Sequence, residues 1–369
     1  MKKILVIGHS LVVDANRKFW SVYARENKAQ VTLVFPEHWK SNLIHELRYT
    51  PNSYTDELLN LVPMSVHKNG NASFYFYSLI KMWKLLKNND YDTIIVTQET
   101  WSMSALQIGF LLKCRGKRKT KAHLSLCQNI KKENLKMFWS LERFITSLYD
   151  KMYYCDSAIC DVLRWKKIPN KTYYLPFTYD SELYTQLPKN LGPVLRLGFL
   201  GRLTSEKGLL TLLKALDLLS MPVELIVAGN GNLKEMLMKH PKVRYLGVLP
   251  HKEAHHFYEN IDFLVLPSET TPFWKEQFGR VLVEAMARGK VPLGSSSGAI
   301  PEVLGKIGLK TVFKERSVED LVTKIEALYL ESQQTEWDEN IKVWRANNER
   351  LFSHQGVARK LGHELENES

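Results

Sequence analysis

The sequence predicts an α/β protein with two successive, doubly wound halves. Short apolar runs typical of buried parallel strands recur along the chain, and amphipathic helical patterns separate them. The alternation restarts after residues 183–194, a stretch that holds two Pro, one Gly and one Asn. A length of 369 residues also favours two domains. Together these observations place a domain boundary within or close to that stretch.

The first half opens with a strand, a helix and a second strand. KKILVIG (2–8) predicts a buried strand, residues 9–27 a loop and a helix, and QVTLVFP (30–36) the next strand. A unit of about 35 residues with this order implies parallel pairing. Residues 37–67 predict a long irregular loop, of a kind that often binds ligands.

The same alternation continues to the boundary and then begins again. In the first half, strands are predicted at 91–99, 122–129 and 172–177, with helices at 74–89 and 131–152. In the second half, strands are predicted at 195–203, 223–231, 243–250 and 261–267, and helices at 317–331 and 337–362. We therefore expect a domain over 1–188, a second over 189–345, and a terminal helix over 346–369 whose last residues, 363–369, are a disordered tail.

The net charge of +12 lies in one half of the sequence. Residues 1–190 hold 28 Lys and Arg against 16 Asp and Glu, whereas the remainder holds 23 of each. A basic half favours an anionic partner, such as a membrane surface, a lipid phosphate or nucleic acid. Nucleic acid is the weaker choice, because the aromatic residues recur at core spacing rather than among the basic ones. Solubility alone is the alternative explanation.

Composition also limits the compartment. The sequence has no run of about 18 apolar residues that would span a membrane, and MKKILVIG is too short and strand-like for a signal peptide. The four cysteines fit no zinc spacing and are expected to be free thiols in a reducing compartment. We therefore expect a cytoplasmic protein, with peripheral association at the inner face of the membrane left open.

One stretch of the second half, residues 268–289, organises the candidate site. It joins the apolar run 261–267 to the helical pattern VLVEAMARG, and it carries Glu276 and Glu284 on either side of the helix start. A helix start at a strand's carboxyl end offers free N–H groups to an anion. Either glutamate taken alone is more often an ordinary surface or helix residue.

Two cations precede this stretch along the chain. Gly201-Arg202 ends a predicted strand, and Lys207 lies in the cap-rich turn that follows it. Each charge-assisted hydrogen bond contributes roughly 1.5–3 kcal/mol, so both together would stabilise a departing diphosphate. The second half holds no Asp-x-Asp pair to chelate a metal, so we expect no metal and no cofactor.

Several segments between 195 and 305 carry a family resemblance. GRLTSEKG, AGNGNLKE, LGVLPHKEA and LPSETTPFWKEQFGRVLVEAMARG, in this order and spacing, resemble the retaining family 4 glycosyltransferases (glycosyl transferases group 1). The pair Glu276-x7-Glu284 matches the signature of that family. QETWSM (98–103) and the segments CQNIKKE and CDSAICDV match more loosely. The resemblance implies the GT-B fold, in which two Rossmann-like domains face each other across a cleft and the terminal helix crosses back to the first domain.

The resemblance also implies roles for individual residues. Arg202 and Lys207 would bind the donor phosphates, Glu276 the sugar hydroxyls and Glu284 the ribose. Backbone atoms would complete the donor site, at Gly201, Gly229, Gly247, Val248, Gln277, Phe278 and Gly279.

The acceptor side is predicted in the first half. Glu99 matches a family glutamate and is a fourth catalytic candidate beside Glu276, Arg202 and Lys207. Gln98 stands where many relatives have a His. Other polar or basic residues near strand ends complete the acceptor-side set of His9, Arg17, Gln98, Gln128 and Asn129.

The predicted activity is that of a retaining, metal-independent hexosyltransferase. The donor would be a UDP-sugar, favoured by family frequency, or a GDP-sugar. The acceptor would be a sugar, a lipid-linked molecule or a cell-surface polysaccharide precursor. Two alternatives stay open: another GT-B enzyme, such as a nucleotide-sugar epimerase or sugar-phosphate synthase, and a non-catalytic membrane-associated subunit. The intact set of Glu276, Glu284, Arg202 and Lys207 argues against the second.

Overall fold

The computed structural model describes two compact α/β units. It describes residues 1–369 except 41–46, 51–56, 117–118, 132–136, 170, 188–191, 251–252 and 369. Met1–Pro176 and Val357–Ser369 form the first unit, and Phe177–Gly356 form the second.

The first unit is organised by a seven-stranded parallel sheet. Four short strands of this unit, β3, β4, β6 and β7, lie outside that sheet. All strands of the unit, in chain order, are β1 (Lys3–Ile7), β2 (Gln30–Pro36), β3 (His38–Trp39), β4 (Leu47–Arg48), β5 (Leu59–Met64), β6 (Val66–His67), β7 (Phe76–Tyr77), β8 (Thr93–Thr97), β9 (Lys121–Leu126), β10 (Lys151–Tyr154) and β11 (Thr172–Tyr174). The order across the sheet is β11-β10-β9-β8-β1-β2-β5. The short pairs β3–β4 and β6–β7 are antiparallel. The direction of strand addition reverses between β8 and β1, which makes their carboxyl ends the natural ligand position.

Helices cover this sheet and bury its apolar strands. They are α1 (Asp14–Glu26), α2 (Leu79–Asn88), α3 (Met103–Arg115), α4 (Trp139–Ser147) and α5 (Ser157–Trp165). A 3-10 turn over His9–Val12 connects β1 to α1. Strand β1 is almost wholly buried, as its continuous apolar sequence predicts.

The second unit repeats the architecture with a six-stranded parallel sheet. Its strands are β12 (Leu195–Leu200), β13 (Val223–Ala228), β14 (Val243–Tyr245), β15 (Phe263–Leu266), β16 (Val291–Ser295) and β17 (Val312–Phe313), in the order β14-β13-β12-β15-β16-β17. Its helices are α6 (Leu209–Leu218), α7 (Lys234–Met238), α8 (Arg280–Ala287), α9 (Ile300–Ile307), α10 (Val318–Glu331) and α11 (Trp337–Phe352). The strand order reverses between β12 and β15.

The last helix, α12, runs over His354–Glu366. The sequence predicted a disordered tail over 363–369, but the helix continues to Glu366. Ion pairs from Lys151 to Glu364 and Glu368 hold it to the first unit, and Lys2 Nζ donates to the Leu365 carbonyl at 2.7 Å. These partners are distant in sequence, so a polar tail gave no local sign of them.

The unit boundaries differ from the predicted ones. The sequence placed them after 188 and 345, whereas the units divide at 176/177 and 356/357. Hydrogen bonds explain the first difference, because the stretch before residue 188 already bonds within the second unit. Tyr179 N donates to Phe352 O at 3.0 Å, and Leu187 N donates to Arg288 O at 3.0 Å.

The predicted loop over 37–67 contains an unforeseen strand. Strand β5 forms the edge of the first sheet and pairs with β2, with Pro63 opposite Phe35. Asn60 and Pro63 interrupt the apolar pattern that marks a central strand, yet an edge strand tolerates a proline. Residues 41–46 and 51–56 of this segment lie outside the described part of the chain. Within the described residues, no helix is both long and apolar enough to cross a membrane.

Arg17, one of the acceptor-side candidates, belongs to the interior of the first unit. It is fully buried. Its Nη1 donates to the carbonyls of Leu11 at 2.9 Å and Val12 at 3.0 Å, and its Nη2 donates to that of Thr50 at 2.8 Å. The guanidinium also lies 5.2 Å from the ring centroid of Phe35. The structure therefore corrects the acceptor-side assignment, because this side chain ties loops together inside the unit.

Replacing Arg17 with Met is expected to lower the free energy of unfolding by roughly 2–5 kcal/mol, because buried carbonyls lose their donor. Arg25→Met is the control, since Arg25 is exposed on the same helix, and should change stability by no more than about 0.5 kcal/mol. Urea unfolding of both variants would measure the difference. Equal stability of the two would contradict a structural role for Arg17.

Candidate functional site

The predicted donor residues lie at the carboxyl edge of the second sheet. Arg202 and Lys207 follow β12, and Glu276 follows β15, the two strands between which the order reverses. Parallel strands end at the same edge, so residues far apart in sequence meet there. The structure thereby brings the two sequence signals into one place.

Lys207 and Glu276 contact each other directly. Lys207 Nζ lies 2.6 Å from Glu276 Oε2, and both side chains are largely buried. Ser268 Oγ donates to the same carboxylate oxygen at 2.8 Å, and Lys207 Nζ lies 4.7 Å from the ring centroid of Trp274. The amine and the carboxylate thus neutralise each other at a position where both a phosphate and a sugar hydroxyl could find partners.

Two glycines allow the loops to approach this closely. A Cβ on Gly208 would lie 1.8 Å from the carbonyl oxygen of Pro267, and one on Gly298 would lie 1.9 Å from that of Glu276. Both glycines also have positive φ, at +67° and +55°, which other residues rarely adopt. The backbones beside Lys207 and Glu276 are therefore fixed by contacts that exclude any side chain.

Arg202 takes a different position from Lys207. Its side chain is exposed, and its Nη2 lies 3.2 Å from Glu206 Oε1. An exposed ion pair of this kind contributes little to stability and exchanges easily. Gly201 before it donates its N–H to the Ala228 carbonyl at 3.1 Å. The guanidinium is therefore available to a ligand, although it is not held in place as the Lys207 amine is.

The start of α8 presents backbone rather than side chains. Phe278 is buried, with its ring centroid 5.6 Å from those of Phe177 and Phe352. Gly279 has φ +76° and precedes the helix without a side-chain cap. Gln277 is exposed. This arrangement agrees with a role for N–H groups here and gives the Phe278 side chain a purely structural task.

Glu284 lies on the second turn of α8. Its Oε2 accepts a hydrogen bond from the Tyr258 hydroxyl at 2.8 Å. The pKa of Tyr258 is raised well above its ordinary value, mainly by burial, so the phenol keeps its proton and remains a donor. Tyr258 therefore orients Glu284 and leaves the other carboxylate oxygen for a ligand hydroxyl.

The segment predicted to bind the base, around Gly247 and Val248, is hydrogen-bonded to Gly229 at the end of β13. The Tyr245 hydroxyl donates to the Gly229 carbonyl at 2.7 Å, and Gly229 N donates to the Gly247 carbonyl at 2.8 Å. The side chain of Val248 is exposed. The backbone around Gly229 is thus fixed, while Val248 offers an apolar surface of the kind a planar base could contact.

In the first unit, His9 and Gln98 meet where the strand order reverses. His9 Nδ1 lies 2.9 Å from Gln98 Nε2, which also donates to the Tyr75 hydroxyl at 2.6 Å. The His9 ring is 4.8 Å from that of Trp39. Burial lowers the pKa of His9 to about 4, so its imidazole is neutral around pH 7.

Glu99 and Gln128 form a second group at this edge. Glu99 Oε1 accepts from Cys127 N at 2.9 Å, and burial raises the pKa of this carboxyl to about 7. Gln128 Oε1 lies 3.3 Å from Lys166 Nζ, which pairs with the buried Glu142 at 2.7 Å. The amide nitrogen of Gln128 is buried and has no hydrogen-bond partner among the described residues.

Asn129, the last acceptor-side candidate, is buried. Its Nδ2 donates to Asp156 Oδ2 at 2.7 Å, and Asp156 caps α5. The contact secures the helix start after β10. Within the described part of the chain, no three His, Cys, Asp or Glu side chains are grouped as a metal site requires.

Comparison with known proteins identifies the second half. Residues 189–344 match the family described as glycosyl transferases group 1. The second half of the chain is therefore similar in sequence to that family. The predicted resemblance to glycosyl transferases group 1 is confirmed over these residues.

Individual relatives agree with this family. An uncharacterised 42.6 kDa protein in the cps region of Klebsiella pneumoniae is 39% identical over 113 residues, which are 29% of this chain and 28% of the relative. A sulfoquinovosyl transferase of Arabidopsis thaliana is 28% identical over 215 residues, 53% of this chain and 40% of the relative. The chain therefore spans less than half the length of these relatives.

A solved structure extends the likeness to the whole fold. HepE of Anabaena, in complex with UDP and glucose, superposes with a TM-score of 0.70, covering 100% of both chains at 15% identity. At that identity the likeness concerns the fold alone. The predicted GT-B fold, with two Rossmann-like units, is confirmed by this neighbour and by the two parallel sheets.

Sequence reasoning missed several side chains that contact the candidate donor residues. Ser268 and Trp274 contact the Lys207–Glu276 pair, and Tyr258 positions Glu284. Ser268 and Trp274 lie inside the stretch already singled out, so their polar and aromatic character was an available signal. Tyr258 lies in a segment that resembled a plain helix, and nothing local marked it.

The environment of Glu99 predicts a pH effect on stability. Its pKa is about 7 in the folded protein against 4.5 ordinarily, so the contribution of this carboxyl to stability is fully present below pH 4.5 and is lost as pH rises through 7. Glu99→Gln should remove on the order of 2–3 kcal/mol of this loss. Unfolding free energies at about pH 5 and pH 8 would measure it. The exposed Glu37→Gln serves as control, and identical pH dependence of Glu99→Gln and the wild type would contradict the assignment.

Proposed function

We propose that this protein is a retaining glycosyltransferase that moves a hexose from a nucleotide-diphosphate sugar to an acceptor. The observation that carries the proposal is the contact of Lys207 with Glu276 at the strand reversal of a group 1 domain. An amine for phosphate and a carboxylate for sugar hydroxyls, already adjacent, suit a molecule that carries both groups. UDP is the favoured nucleotide, and GDP the second; the HepE neighbour, which binds UDP and glucose, supports this order.

The proposed reaction exchanges one bond at the anomeric carbon for another. The bond to the diphosphate oxygen breaks, the acceptor oxygen bonds from the same face, and the acceptor proton moves to the departing diphosphate. Arg202 and Lys207 stabilise the negative charge that develops on that leaving group. Because two cations are available, we propose that no metal is needed.

Glu276 and Glu284 hold the donor in this scheme. Lys207 turns from Glu276 towards the diphosphate, and the Glu276 carboxylate then accepts from the sugar hydroxyls. Glu284, oriented by Tyr258, accepts from the ribose. Glu99, Gln98 and His9 lie in the first unit, where we place the acceptor. Its proposed class is a lipid-linked molecule or polysaccharide precursor, with the basic first half on an anionic membrane at the cytoplasmic face.

Two competing activities make different demands. An epimerase of this fold would convert a nucleotide sugar without any acceptor. A sugar-phosphate synthase would transfer the sugar to a sugar phosphate. A non-catalytic subunit would bind the donor without turnover. Incubation with a nucleotide sugar alone, followed by analysis for an isomerised sugar, distinguishes the first. Donor binding without transfer across a broad acceptor panel would favour the second.

Arg202→Ala and Lys207→Ala are each expected to lower turnover at least about tenfold, the effect of losing roughly 1.4 kcal/mol of transition-state stabilisation. Arg202→Ala is the cleaner variant, because its side chain is exposed and its loss should not alter folding. Lys214→Ala, at an exposed lysine of α6, should retain wild-type turnover. Wild-type rates in both site variants would refute the phosphate assignment.

Donor binding can be tested without knowing the acceptor. In a thermal-shift screen, UDP, GDP and ADP sugars are compared, and a ligand at 100 times its dissociation constant adds about 2.7 kcal/mol of stability. Glu284→Gln keeps an acceptor for Tyr258 but loses the charge, and should weaken binding about tenfold. Glu326→Gln, on α10, is the matched control. Equal shifts for both variants would contradict the ribose role.

A further inference from the structure

The first unit exposes its large apolar side chains in one region of its sequence. Met1 apart, every such side chain that is exposed in the described part of this unit lies between Phe74 and Phe144. Six of these side chains lie on α2, α3 and α4, and Phe74, Met137 and Phe138 lie in the segments that precede α2 and α4. Scattered exposed apolar residues are ordinary, but their concentration in one region is not expected by chance.

These three helices form one layer on one side of the sheet. Strands β8, β9 and β10 are neighbours in that order, so right-handed crossovers place α3 and α4 on the same side. Helix α3 packs against both α2 and α4. Gln107 of α3 bonds to both backbone groups of Tyr77, just before α2, and the Tyr149 hydroxyl, just after α4, donates to Ala105 O at 2.6 Å.

The exposed apolar side chains share the outer faces of these helices. Met103 and Phe110 are seven residues apart and so lie on one face of α3. Leu141 and Phe144 are three apart on α4. The exposures of Phe110, Phe144 and Ile80, at the start of α2, are 53%, 46% and 70%. The layer therefore presents several aromatic and aliphatic side chains to solvent.

Positive charge accompanies them. Residues 68–144 contain 14 Lys and Arg against 5 Asp and Glu, a net +9 out of the chain's +12. On α2, Lys84 and Lys87 follow Ile80 at i+4 and i+7 and are exposed on its face. On α3, Lys113 lies three residues beyond Phe110 and is exposed. The same face thus combines apolar side chains with lysines.

We propose that the outer face of α2, α3 and α4 is the surface by which this protein lies on an anionic lipid bilayer. Apolar side chains would enter the boundary between headgroups and acyl chains, while the lysines remain at the level of the lipid phosphates. A nucleic acid would match the charge but not the exposed Ile, Leu and Met side chains. The inference rests on the membrane association proposed above and not on sugar transfer.

Flotation of the full chain with vesicles tests this surface. Vesicles of phosphatidylcholine alone are compared with vesicles that also contain phosphatidylglycerol, at low and at high salt. The wild type should float only with the anionic vesicles, and less so at high salt. Sedimentation without vesicles shows whether copies associate instead.

Two sets of variants, each with a matched control, locate the contact. The apolar set is Phe110→Ser, Leu141→Ser and Phe144→Ser, and its control is Leu210→Ser, Leu218→Ser and Val343→Ser on exposed positions of the second unit. The charge set is Lys84→Glu, Lys87→Glu and Lys113→Glu, and its control is Lys214→Glu, Lys239→Glu and Lys310→Glu, again exposed. Each test set should lower the partition coefficient at least about tenfold, and each control by less than about twofold.

Several results would overturn the proposal. They are wild-type partitioning by the apolar set, equal loss in test and control sets, flotation independent of anionic lipid, and no flotation at all. Self-association that only the apolar set abolishes would make this face a contact between copies. Circular dichroism and urea unfolding confirm that each variant is folded. Because no readout needs turnover, a failure of the sugar-transfer proposal would leave this test interpretable.

Discussion

Close contact between backbones is the constraint on which the second unit's site depends. The loop after β12 passes the end of β15 at Gly208, and the loop after β16 passes Glu276 at Gly298, with no room for a Cβ at either crossing. These crossings hold three loops together where the strand order reverses. Lys207 and Glu276 are adjacent because of them, although 69 residues separate the two in sequence.

In the proposed reaction, the atoms of the Lys207–Glu276 contact would serve both stability and donor binding. A largely buried amine and carboxylate each lose hydration, and each compensates for the other's charge. A donor with a diphosphate and sugar hydroxyls supplies substitutes for both partners, so neither charge would be left alone when it binds. The neighbouring Tyr258–Glu284 bond follows the same logic, since a buried phenol that keeps its proton fixes the carboxylate before any ligand arrives.

Local sequence pattern was sufficient for the features that depend on local chemistry. Apolar runs predicted the central strands. The glycine, lysine and glutamate spacing predicted candidate donor-side residues, of which the fold brings Lys207 and Glu276 into contact. Features set by distant partners were not predictable in this way. Strand β5 is stabilised by pairing with β2 despite Asn60 and Pro63. The sequence pattern around Arg17 predicted a surface cation, whereas its side chain is buried against carbonyl groups up to 33 residues away in sequence. Tyr258 acquires its role only through Glu284, 26 residues further along.

In the first unit, the candidate acceptor residues and the excess positive charge lie in different places. At the strand reversal, His9 is neutral because burial lowers its pKa to about 4, Gln98 is an amide, and Lys166 is balanced by Glu142. Glu99, with a pKa of about 7, carries a partial charge at most in neutral solution. The candidate acceptor residues therefore form a polar but nearly neutral group, suited to a hydroxyl rather than to an anion. Exposed positive charge lies instead on α2 and α3, at Lys81, Lys84, Lys87 and Lys113. Under the membrane proposal, the basic character of this half would therefore concern where the protein is held and not which acceptor it recognises.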